Sequence, residues 1–512
     1  MVSDVVIVGG GPVGLMLACE LSLAGVRPVV LERLAQPPDE TRANGLVGQV
    51  VRMLDRRGLY QRLTGDSEIP QPAPTFFFGA LPLDLAALDD NPFYLLPVPQ
   101  PRIQQVLDER AAELGVEIRR GHELTGLSQR ADEVIIDVNG PEGRYEMRCR
   151  YVVGADGGHS TTRELAGIGF PGTTNDDVVA RTVEGAVPAD LVDAATGGLN
   201  VPGHGHIPPF ISQRTDTGLF AFGNLPSRPP LMFTVEWTAG GVDETVPFTL
   251  GEFRESVRRV LGVDLPLQPP AHRLTRTTGV NTRLAERFSD NRVLLVGDAA
   301  HVQFVLGGPG LNLGLQDAIN VGWKLAASIR GWAPRRLLDT YHAERWPAAR
   351  RAALHTQAQL ALLAPGAEVA ALRELFAEFL DDAHNVAHIA NLMTGADVRY
   401  EMGAAGAHPL VGRCAPDLVL DTGHGTLRLA ELTRTARPLL LDLTEDACYA
   451  SEVDAWRDRV DTVTGSTRDS DACALLLRPD CYVAWATDTA RPDRALRESL
   501  RAALTTWFGA VA

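Results

Sequence analysis

The chain has 512 residues, enough for several domains, and its 45% hydrophobic and 22% charged residues indicate a folded protein with a sizeable core rather than a disordered or fibrous one. Its 48 basic and 64 acidic side chains give a net charge of −16, which argues against nucleic acid and anionic membranes as main partners. The N-terminus lacks the features of a signal peptide, no apolar run approaches the roughly 18 residues of a spanning helix, and the six cysteines form no CxxC pair, so we expect a cytoplasmic protein. No metal motif is present either, and no metal site is expected.

A glycine-rich turn between two apolar runs opens the chain. The run Asp4–Val8 predicts a buried parallel strand, the turn Gly9-Gly10-Gly11-Pro12-Val13-Gly14 follows, and the helical pattern after the turn ends at Gly25. Residues 28–32 predict a second buried strand that ends in Glu32. Glycines at this spacing let a pyrophosphate approach a helix N-terminus, and the acid can accept hydrogen bonds from a ribose. This βαβ context favours a dinucleotide site over a plain strand–helix turn.

The later elements alternate between helix and strand before the pattern changes. We predict helices over residues 102–114, 313–329 and most of 336–398, and strands over residues 116–119, 133–138, 151–153, 231–235, 292–296, 439–441, 474–477 and 481–485. Proline and glycine rise over residues 170–280, which indicates an inserted β-rich layer. A break near residues 403–408 precedes a small separate α/β module.

A second glycine turn carries one acid. The segment Gly154-Ala155-Asp156-Gly157-Gly158-His159-Ser160-Thr161-Thr162-Arg163 follows an apolar strand and leads into a helix. Asp156 can bind a ligand hydroxyl, or it can cap the helix beside a surface arginine, Arg163. The residues alone leave both interpretations open.

A third turn repeats this arrangement. Leu295-Val296-Gly297-Asp298-Ala299-Ala300-His301 places an acid at a strand end, and Gly307-Gly308-Pro309-Gly310-Leu311-Asn312 supplies glycines at a helix start. This pattern suits an anionic or polyol ligand, with helix capping as the alternative for Asp298. For His301 we favour a buried, satisfied histidine over a catalytic one.

Together the three turns resemble the class A flavin monooxygenases of the p-hydroxybenzoate hydroxylase type. The resemblance runs in order through most of residues 1–400 and includes Gln316-Asp317-Ala318-Ile319-Asn320-Val321-Gly322-Trp323-Lys324-Leu325 and Tyr341-His342-Ala343-Glu344-Arg345. Within that family the chain is most similar to bacterial hydroxylases of aromatic polyketides such as angucyclines and anthracyclines. Those enzymes carry a C-terminal thioredoxin-like module without redox cysteines, which residues 405–512 resemble.

The resemblance implies an α/β fold with three domains. A Rossmann-like FAD-binding domain is expected from residues 1–75, 101–175 and 278–400. A substrate-binding β-sheet domain is expected from residues 76–100 and 176–277, and a thioredoxin-like domain without CxxC from residues 401–512.

Carried over by position, the resemblance also implies the FAD contacts. The glycine turn would receive the pyrophosphate, Glu32 the adenosine ribose, and Asp298 the ribityl chain, while Asp156 would serve FAD and NAD(P)H recognition together. The residues assigned to cofactor binding in this way are Gly9, Gly11, Pro12, Gly14, Glu32, Arg33, Arg42, Gln100, Asp156, Asp298, Pro309, Gly310, Leu311 and Asn312. A surface arginine and a plain loop residue are the alternatives for Arg42 and Gln100.

Several positions depart from the family pattern. Val305 stands where the family usually has proline, Pro309 where it has glutamine, and Leu311 where it has methionine. With Gly308 these residues belong to the loop expected beside the flavin ring, and a moved proline reshapes such a loop because it fixes φ and removes a donor. Gln104 stands where relatives often have glutamate.

Lys324 is the only lysine of the chain. The other 47 basic residues are arginines, which a bias towards arginine codons explains. The retained lysine suggests that its position demands a compact ammonium group, against the alternative of chance.

The activity implied by the resemblance is a monooxygenase reaction. NAD(P)H would reduce bound FAD, oxygen would form a flavin 4a-hydroperoxide, and a polycyclic aromatic polyketide would receive one oxygen atom, so no protein nucleophile is needed. His204 and His206 are weak candidates for deprotonating a phenol. Aromatic residues proposed as walls of the substrate pocket are Phe76, Phe77, Phe78, Phe93, Tyr94, Phe210, Phe222, Phe233 and Trp237.

Other activities stay open at this point. A Baeyer–Villiger or ring-rearranging oxygenase would fit the same scaffold, as the changes at Val305 and Pro309 allow. A non-catalytic, flavin-bound partner in a biosynthetic complex is an alternative of another class, and a plain NAD dehydrogenase is a further rival. The expected partners are the small aromatic substrate, O2 and NAD(P)H, with no nucleic acid and no membrane, and a homodimer is left open.

Overall fold

Three main β-sheets, each packed against helices, organise the chain. The computed structural model describes residues 2–37, 44–66, 68–224, 229–243, 245–303, 309–403 and 408–511. Within these ranges no helix combines the length and the apolar character that crossing a bilayer requires.

The opening unit confirms the predicted strand–turn–helix–strand order. The strands up to residue 154 are β1 (Ser3–Val8), β2 (Pro28–Glu32), β3 (Leu46–Val47), β4 (Thr75–Phe78), β5 (Leu81–Asp84), β6 (Leu95–Leu96), β7 (Glu117–Arg120), β8 (Glu123–Gln129), β9 (Val134–Gly140) and β10 (Gly143–Gly154). The helices of this part are α1 (Pro12–Leu23), α2 (Gln49–Asp55), α3 (Tyr60–Thr64), α4 (Gln100–Glu113) and α5 (Thr161–Leu165). The chain leaves α1 through Gly25, whose φ of +78° explains the glycine there.

The middle of the chain is β-rich, as predicted, but it also contains a helix that we did not predict. Its strands are β11 (Gly172–Gly185), β12 (Leu199–Val201), β13 (Gly205–Ile207), β14 (Gln213–Arg214), β15 (Gly218–Gly223), β16 (Leu231–Trp237), β17 (Ala271–Leu284), β18 (Ser289–Asp290), β19 (Val293–Leu295) and β20 (His301–Val302). The helix is α6 (Leu250–Leu261), which Thr249 caps by accepting from the Glu252 amide and which Gly262 ends in a left-handed conformation. A threonine three residues before a glutamate was the available signal.

The last part consists of long helices followed by a small α/β module. Its elements are α7 (Pro309–Arg330), α8 (Thr340–Leu363), α9 (Ala367–Phe379), α10 (Ala383–Thr394), β21 (Val419–Thr422), β22 (Gly425–Arg428), α11 (Leu429–Leu432), β23 (Leu439–Asp442), β24 (Asp461–Ser466), β25 (Ala474–Leu477), β26 (Val483–Thr487) and α12 (Arg494–Phe508). We call residues 408–511 the C-terminal module.

The first sheet places the three glycine turns at one edge. Its strand order is β18-β19-β10-β1-β2-β7, and β10, β1, β2 and β7 are parallel, as is the pair of β10 and β19. The central strands are buried on both faces, which explains their continuous apolar runs. Because the carboxyl ends of parallel strands meet at one edge, the turns after β1, β10 and β19 lie side by side.

The second sheet is antiparallel and has two differently covered faces. Its order is β14-β15-β16-β11-β17-β20. Successive side chains point to opposite faces, so Phe220, Phe222 and Met232 pack with α6 on one face. Leu219 and Val235 pack towards Leu363 at the end of α8 on the other face.

The third sheet lies in the C-terminal module. Its order is β22-β21-β24-β23-β25-β26, with β23 and β24 parallel and the other pairs antiparallel, and α12 contacts β26. All six cysteines are free thiols. The exact limits of the three predicted domains stay a prediction.

Lys324 lies in a buried ion network where α7, α8 and the module meet. Its Nζ donates to Glu344 Oε2 at 2.7 Å and to Asn320 Oδ1 at 2.9 Å, and the side chain is fully buried. Burial lowers the pKa of Lys324 to about 8, although Glu344 opposes this. Burial raises the pKa of Glu344, but Arg478 and Lys324 outweigh it and the net pKa is lowered. Glu344 contacts two cations, which stabilise its ionised form, whereas the like charge of Arg478 adds to the lowering of the Lys324 pKa.

We expect Lys324→Arg to lower the free energy of unfolding by about 1–3 kcal/mol, because a guanidinium group overfills a closed, fully buried site. Urea denaturation followed by circular dichroism measures this change. Arg494→Lys is the matched control, since the Arg494 side chain is 92% exposed. Equal stability of Lys324→Arg and the unsubstituted chain would show that this position does not require a lysine.

Candidate flavin and substrate site

The three predicted turns converge in space. A Cβ added to Gly9 would overlap the carbonyl oxygen of Ala155, so the first and second turns are in direct contact. Val13 of the first turn packs against the third turn and α7. A Cβ added to Gly297 would lie 3.2 Å from Val13 Cγ1, and one added to Gly314 in α7 would lie 2.8 Å from Val13 Cγ2. One extended ligand can therefore touch all three turns.

The first turn forms an open cradle at the start of α1. Gly9 has a φ of +111°, and a Cβ at Gly14 would overlap the oxygen of Gly9, so both positions need glycine to close the turn. A Cβ at Gly11 would instead meet no atom of the described residues within 4 Å, apart from its chain neighbours and its own helix. Gly11 is the N-cap of α1 without a side-chain cap, and Pro12 follows it. A helix N-terminus with free space in front of it fits a pyrophosphate.

Glu32 and Gln104 hold Gly10 from both sides. The Gly10 amide donates to Glu32 Oε2 at 2.8 Å, and Gln104 Nε2 donates to the Gly10 oxygen at 3.3 Å. The Leu34 amide donates to Glu32 Oε1, so the carboxylate already has two backbone partners, and its remaining lone pairs are the ones a ribose could use. The departure at Gln104 thereby gains a physical role, because a glutamate carboxylate could not donate to this carbonyl. Arg33 is exposed.

Together with the N-cap residue Ser160, Asp156 helps to cap α5, in line with one of the two interpretations left open above. Its carboxylate accepts from Ser160 Oγ at 2.5 Å and from both the amide and Oγ1 of Thr162 at 2.9 Å. Arg163 is not the surface arginine of that alternative: it is buried, and it donates to the oxygens of Gly158 and Ala299. This arginine therefore ties the second turn to the third.

The third turn stands next to the first residues of α7. A Cβ at Gly310 would lie 3.6 Å from Oδ1 of the exposed Asp298. Asn312 is buried and its Oδ1 accepts from the Val47 amide at 3.0 Å. Pro309 is buried, and Leu311 is half-buried. The segment predicted to lie near the isoalloxazine thus adjoins the acid predicted to bind the ribityl chain.

Asp317, on α7, fixes the third turn through hydrogen bonds to two of its residues. Its Oδ2 accepts from the Gly297 amide at 3.2 Å and contacts His301 Nε2 at 2.7 Å, while Oδ1 accepts from Arg345 Nε at 2.7 Å. Burial raises the pKa of Asp317, but the charges of Arg345 and His301 outweigh it, and the net pKa is lowered. His301 is buried, as the structural interpretation favoured above expects, but it is only half satisfied: Nε2 bonds to Asp317, whereas its shielded Nδ1 has no hydrogen-bond partner among the described residues.

Some predicted residues fall elsewhere. Arg42, Val305 and Gly308 lie outside the described residues, so the departure at Val305 stays a prediction. Gln100 is half-buried at the start of α4. Gln303 was not predicted, yet both polar atoms of its side chain are shielded from solvent without a hydrogen-bond partner among the described residues, as expected of a group that meets a ligand.

A cleft of about 630 Å³ separates the second sheet from α8. The residues lining it are Thr173, Thr174, Asn175, Asp176, Asp177, Trp237, Val280, Thr282, Gln357, Leu360, Ala361 and Ala364. Of the proposed aromatic walls, Trp237 lines this cleft, whereas Phe222 packs under α6 on the opposite face and is excluded. His204 and His206 are exposed on the β12–β13 hairpin and do not line it.

Strand β17 and helix α8 connect the cleft to the third turn. β17 contributes Val280 and Thr282 to the cleft and then pairs with β20 at His301, three residues after Asp298. The other wall, α8, carries the braced Arg345 near its start. A glycine cradle, an acid at the end of β2 and a braced third turn, joined by β17 and α8 to a cleft, are the features expected of an FAD-binding protein with a separate substrate layer.

Comparison with known proteins identifies the family. Residues 2–356 match the family described as FAD binding domain, and residues 408–511 match the C-terminal domain of aromatic-ring hydroxylases. The chain therefore belongs to this FAD-binding family, and the resemblance to p-hydroxybenzoate hydroxylase-type enzymes is confirmed.

Three relatives span the whole chain. A Streptomyces rimosus protein named 12-dehydrotetracycline 5-monooxygenase/anhydrotetracycline 6-monooxygenase is 43% identical, with 99% of each chain covered. A dialkyldecalin synthase from Streptomyces rugosporus is 36% identical, with 100% of each chain covered. The solved structure of an anhydrotetracycline hydroxylase from Streptomyces rimosus is 40% identical and covers 100% of each chain with a TM-score of 0.87. The chain is accordingly a flavin-dependent monooxygenase.

Two glycine variants separate cofactor contact from folding. Gly11→Ala should lower the melting temperature of the FAD-free protein only by the small cost of an alanine N-cap, because its Cβ meets no atom of the described residues outside its own helix, but should raise the Kd for FAD at least tenfold. Gly14→Ala should lower the melting temperature as well, because its Cβ overlaps Gly9. Flavin fluorescence titration and thermal unfolding provide the two measurements. Normal FAD affinity of Gly11→Ala would place the pyrophosphate elsewhere.

Proposed function

We propose that the enzyme uses FAD, NAD(P)H and O2 to insert one oxygen atom into a polycyclic aromatic polyketide held in the cleft between the second sheet and α8. This proposal rests on the connection between the cleft and the third turn, which carries Asp298. One wall of the cleft reaches that turn through β17 and β20, and the other wall, α8, reaches it through Arg345. A ligand in the cleft would thus be held by elements that also fix the cofactor site.

The residues of the chain bind and orient, and the cofactor supplies the reaction. Bound FAD would accept a hydride from NAD(P)H and activate oxygen for transfer to the substrate. The Gly9–Gly14 cradle would hold the pyrophosphate, Glu32 the adenosine ribose, Asp298 the ribityl chain, and the first turn of α7 would lie beside the flavin ring. Asp156 would act on the cofactor only indirectly, by capping α5 and so fixing the second turn.

The cleft suits a flat substrate with polar edges. Trp237 offers an aromatic face, Val280 and Leu360 add apolar surface, and Gln357 and Thr282 offer hydrogen-bonding groups. The volume of about 630 Å³ is that of a site for a drug-sized molecule. The tetracycline precursors in the name of one relative are flat polycyclic molecules with polar edges of this kind.

Product analysis under labelled oxygen tests the reaction. With NADPH, 18O2 and a panel of polycyclic phenols, we expect NADPH oxidation and a product heavier by one 18O atom on a ring carbon. Incorporation next to a carbonyl with ring expansion would instead indicate the Baeyer–Villiger alternative. Flavin-containing protein that never oxidises NADPH in the presence of any phenol would contradict both, and would favour a partner role or a non-oxidative one such as the name of the dialkyldecalin synthase suggests.

Two leucines on one helix test the location of the substrate. Leu360→Trp should raise the KM for the aromatic substrate at least tenfold and leave FAD content unchanged, because the indole would fill part of the cleft. Leu354→Trp, also on α8, is the control, since Leu354 is exposed and does not line the cleft. Equal KM values for the two variants would place the substrate elsewhere.

A further inference from the structure

The C-terminal module inserts one arginine into the core between α7 and α8. Arg478 is completely buried, and its two terminal nitrogens donate to the two oxygens of Glu344 at 2.6 and 2.8 Å. Its Nε donates to Asp480 Oδ1 at 3.0 Å. Four aromatic rings surround the guanidinium within 6 Å: Trp323, Tyr400, Tyr482 and Trp507. Bidentate and cation–π contacts at once fix the orientation of this group as well as its position.

The residue after Glu344 on α8 belongs to the flavin site. Arg345 bonds to Asp317, and it also donates to the oxygen of Leu313 at 3.2 Å and to Tyr400 Oη at 3.0 Å. Leu313 directly follows the α7 segment predicted to face the flavin ring. Two successive residues of α8 therefore bind different parts of the protein: Glu344 binds Arg478 of the module, and Arg345 binds Asp317 below the third turn.

Tyr400 provides a second connection between these two groups. Its ring stacks on Tyr482 of the module with a centroid distance of 4.0 Å, and its hydroxyl contacts Arg345. Its ring also lies 5.2 Å from the Arg478 guanidinium. A shift of the module would therefore reach Arg345 both along α8 and through Tyr400.

Asp317 completes the path to the cofactor. The same carboxylate that binds Arg345 holds the Gly297 amide and His301, which flank Asp298. All of these groups are shielded from water, so no solvent layer can absorb a displacement.

We propose that the C-terminal module is a positioning element for the flavin: Arg478 and Tyr400, acting through Glu344, Arg345 and Asp317, set the geometry of the turn that carries Asp298. This role requires no redox cysteine in the module. It rests on FAD binding, which the family shows, and not on the proposed substrate.

The test compares two arginines that join the module to the rest of the chain. Arg478→Met keeps an apolar side chain among the aromatic rings but loses the bonds to Glu344. Arg428→Met loses the pair that joins the module to Asp55 on α2, at 2.8 Å, and has no bond to Arg345 or Asp317. For Arg478→Met we expect an at least tenfold higher Kd for FAD and a visible flavin absorption spectrum shifted towards that of free FAD. Arg428→Met should keep the Kd and the spectrum of the unsubstituted protein.

Tyr400→Phe keeps the proposal testable if Arg478→Met fails to fold. It removes only the hydroxyl that contacts Arg345 and keeps the ring stacked on Tyr482. We expect the FAD-free protein to stay folded at the assay temperature, with a somewhat lower melting temperature because buried Arg345 loses an acceptor, a Kd for FAD raised about threefold to fivefold, and a changed flavin spectrum. Unchanged FAD affinity and spectrum in Tyr400→Phe and in any folded Arg478→Met would overturn the proposal and leave the module with a purely stabilising role.

Discussion

The buried carboxylate of Asp317 is the constraint on which the cofactor site depends. It sits where α7, α8 and the third turn meet, and the charges of Arg345 and His301 lower its pKa although the side chain is fully shielded from bulk solvent. Removing one partner of such a group leaves an uncompensated charge, which costs several kcal/mol. The third turn, the start of α7 and Arg345 are therefore held in one arrangement. The groups that would contact a long ligand are preorganised before it binds.

Much of this frame could be predicted from local signals. The strand, glycine turn and helix at Gly9–Gly14 follow from neighbouring residues, and the periodicity of the long helices is visible over a few turns. The burial of His301 could also be predicted, because a histidine between an apolar strand and a glycine segment is more often packed than catalytic. These features need no knowledge of distant partners.

Features that depend on distant partners could not be predicted. Gln104 was noticed only as a departure, since its partner Gly10 lies 94 positions away. The burial of Arg163 depends on Ala299, 136 positions away. Phe222 was proposed as a pocket wall because it is aromatic. Which face of its strand borders the ligand is decided by the pairing register of the sheet, which the aromatic content does not show.

The two-faced second sheet has a consequence for how such enzymes diversify. One face packs on α6 through Phe220, Phe222 and Met232, and the opposite face carries Trp237 and Val280, which line the cleft. Exchanges at the positions that face the cleft can therefore change this face while the residues that pack on α6 stay constant. With the substrate in the proposed cleft, point substitutions on this face would change ligand preference without altering the residues that hold the prosthetic group.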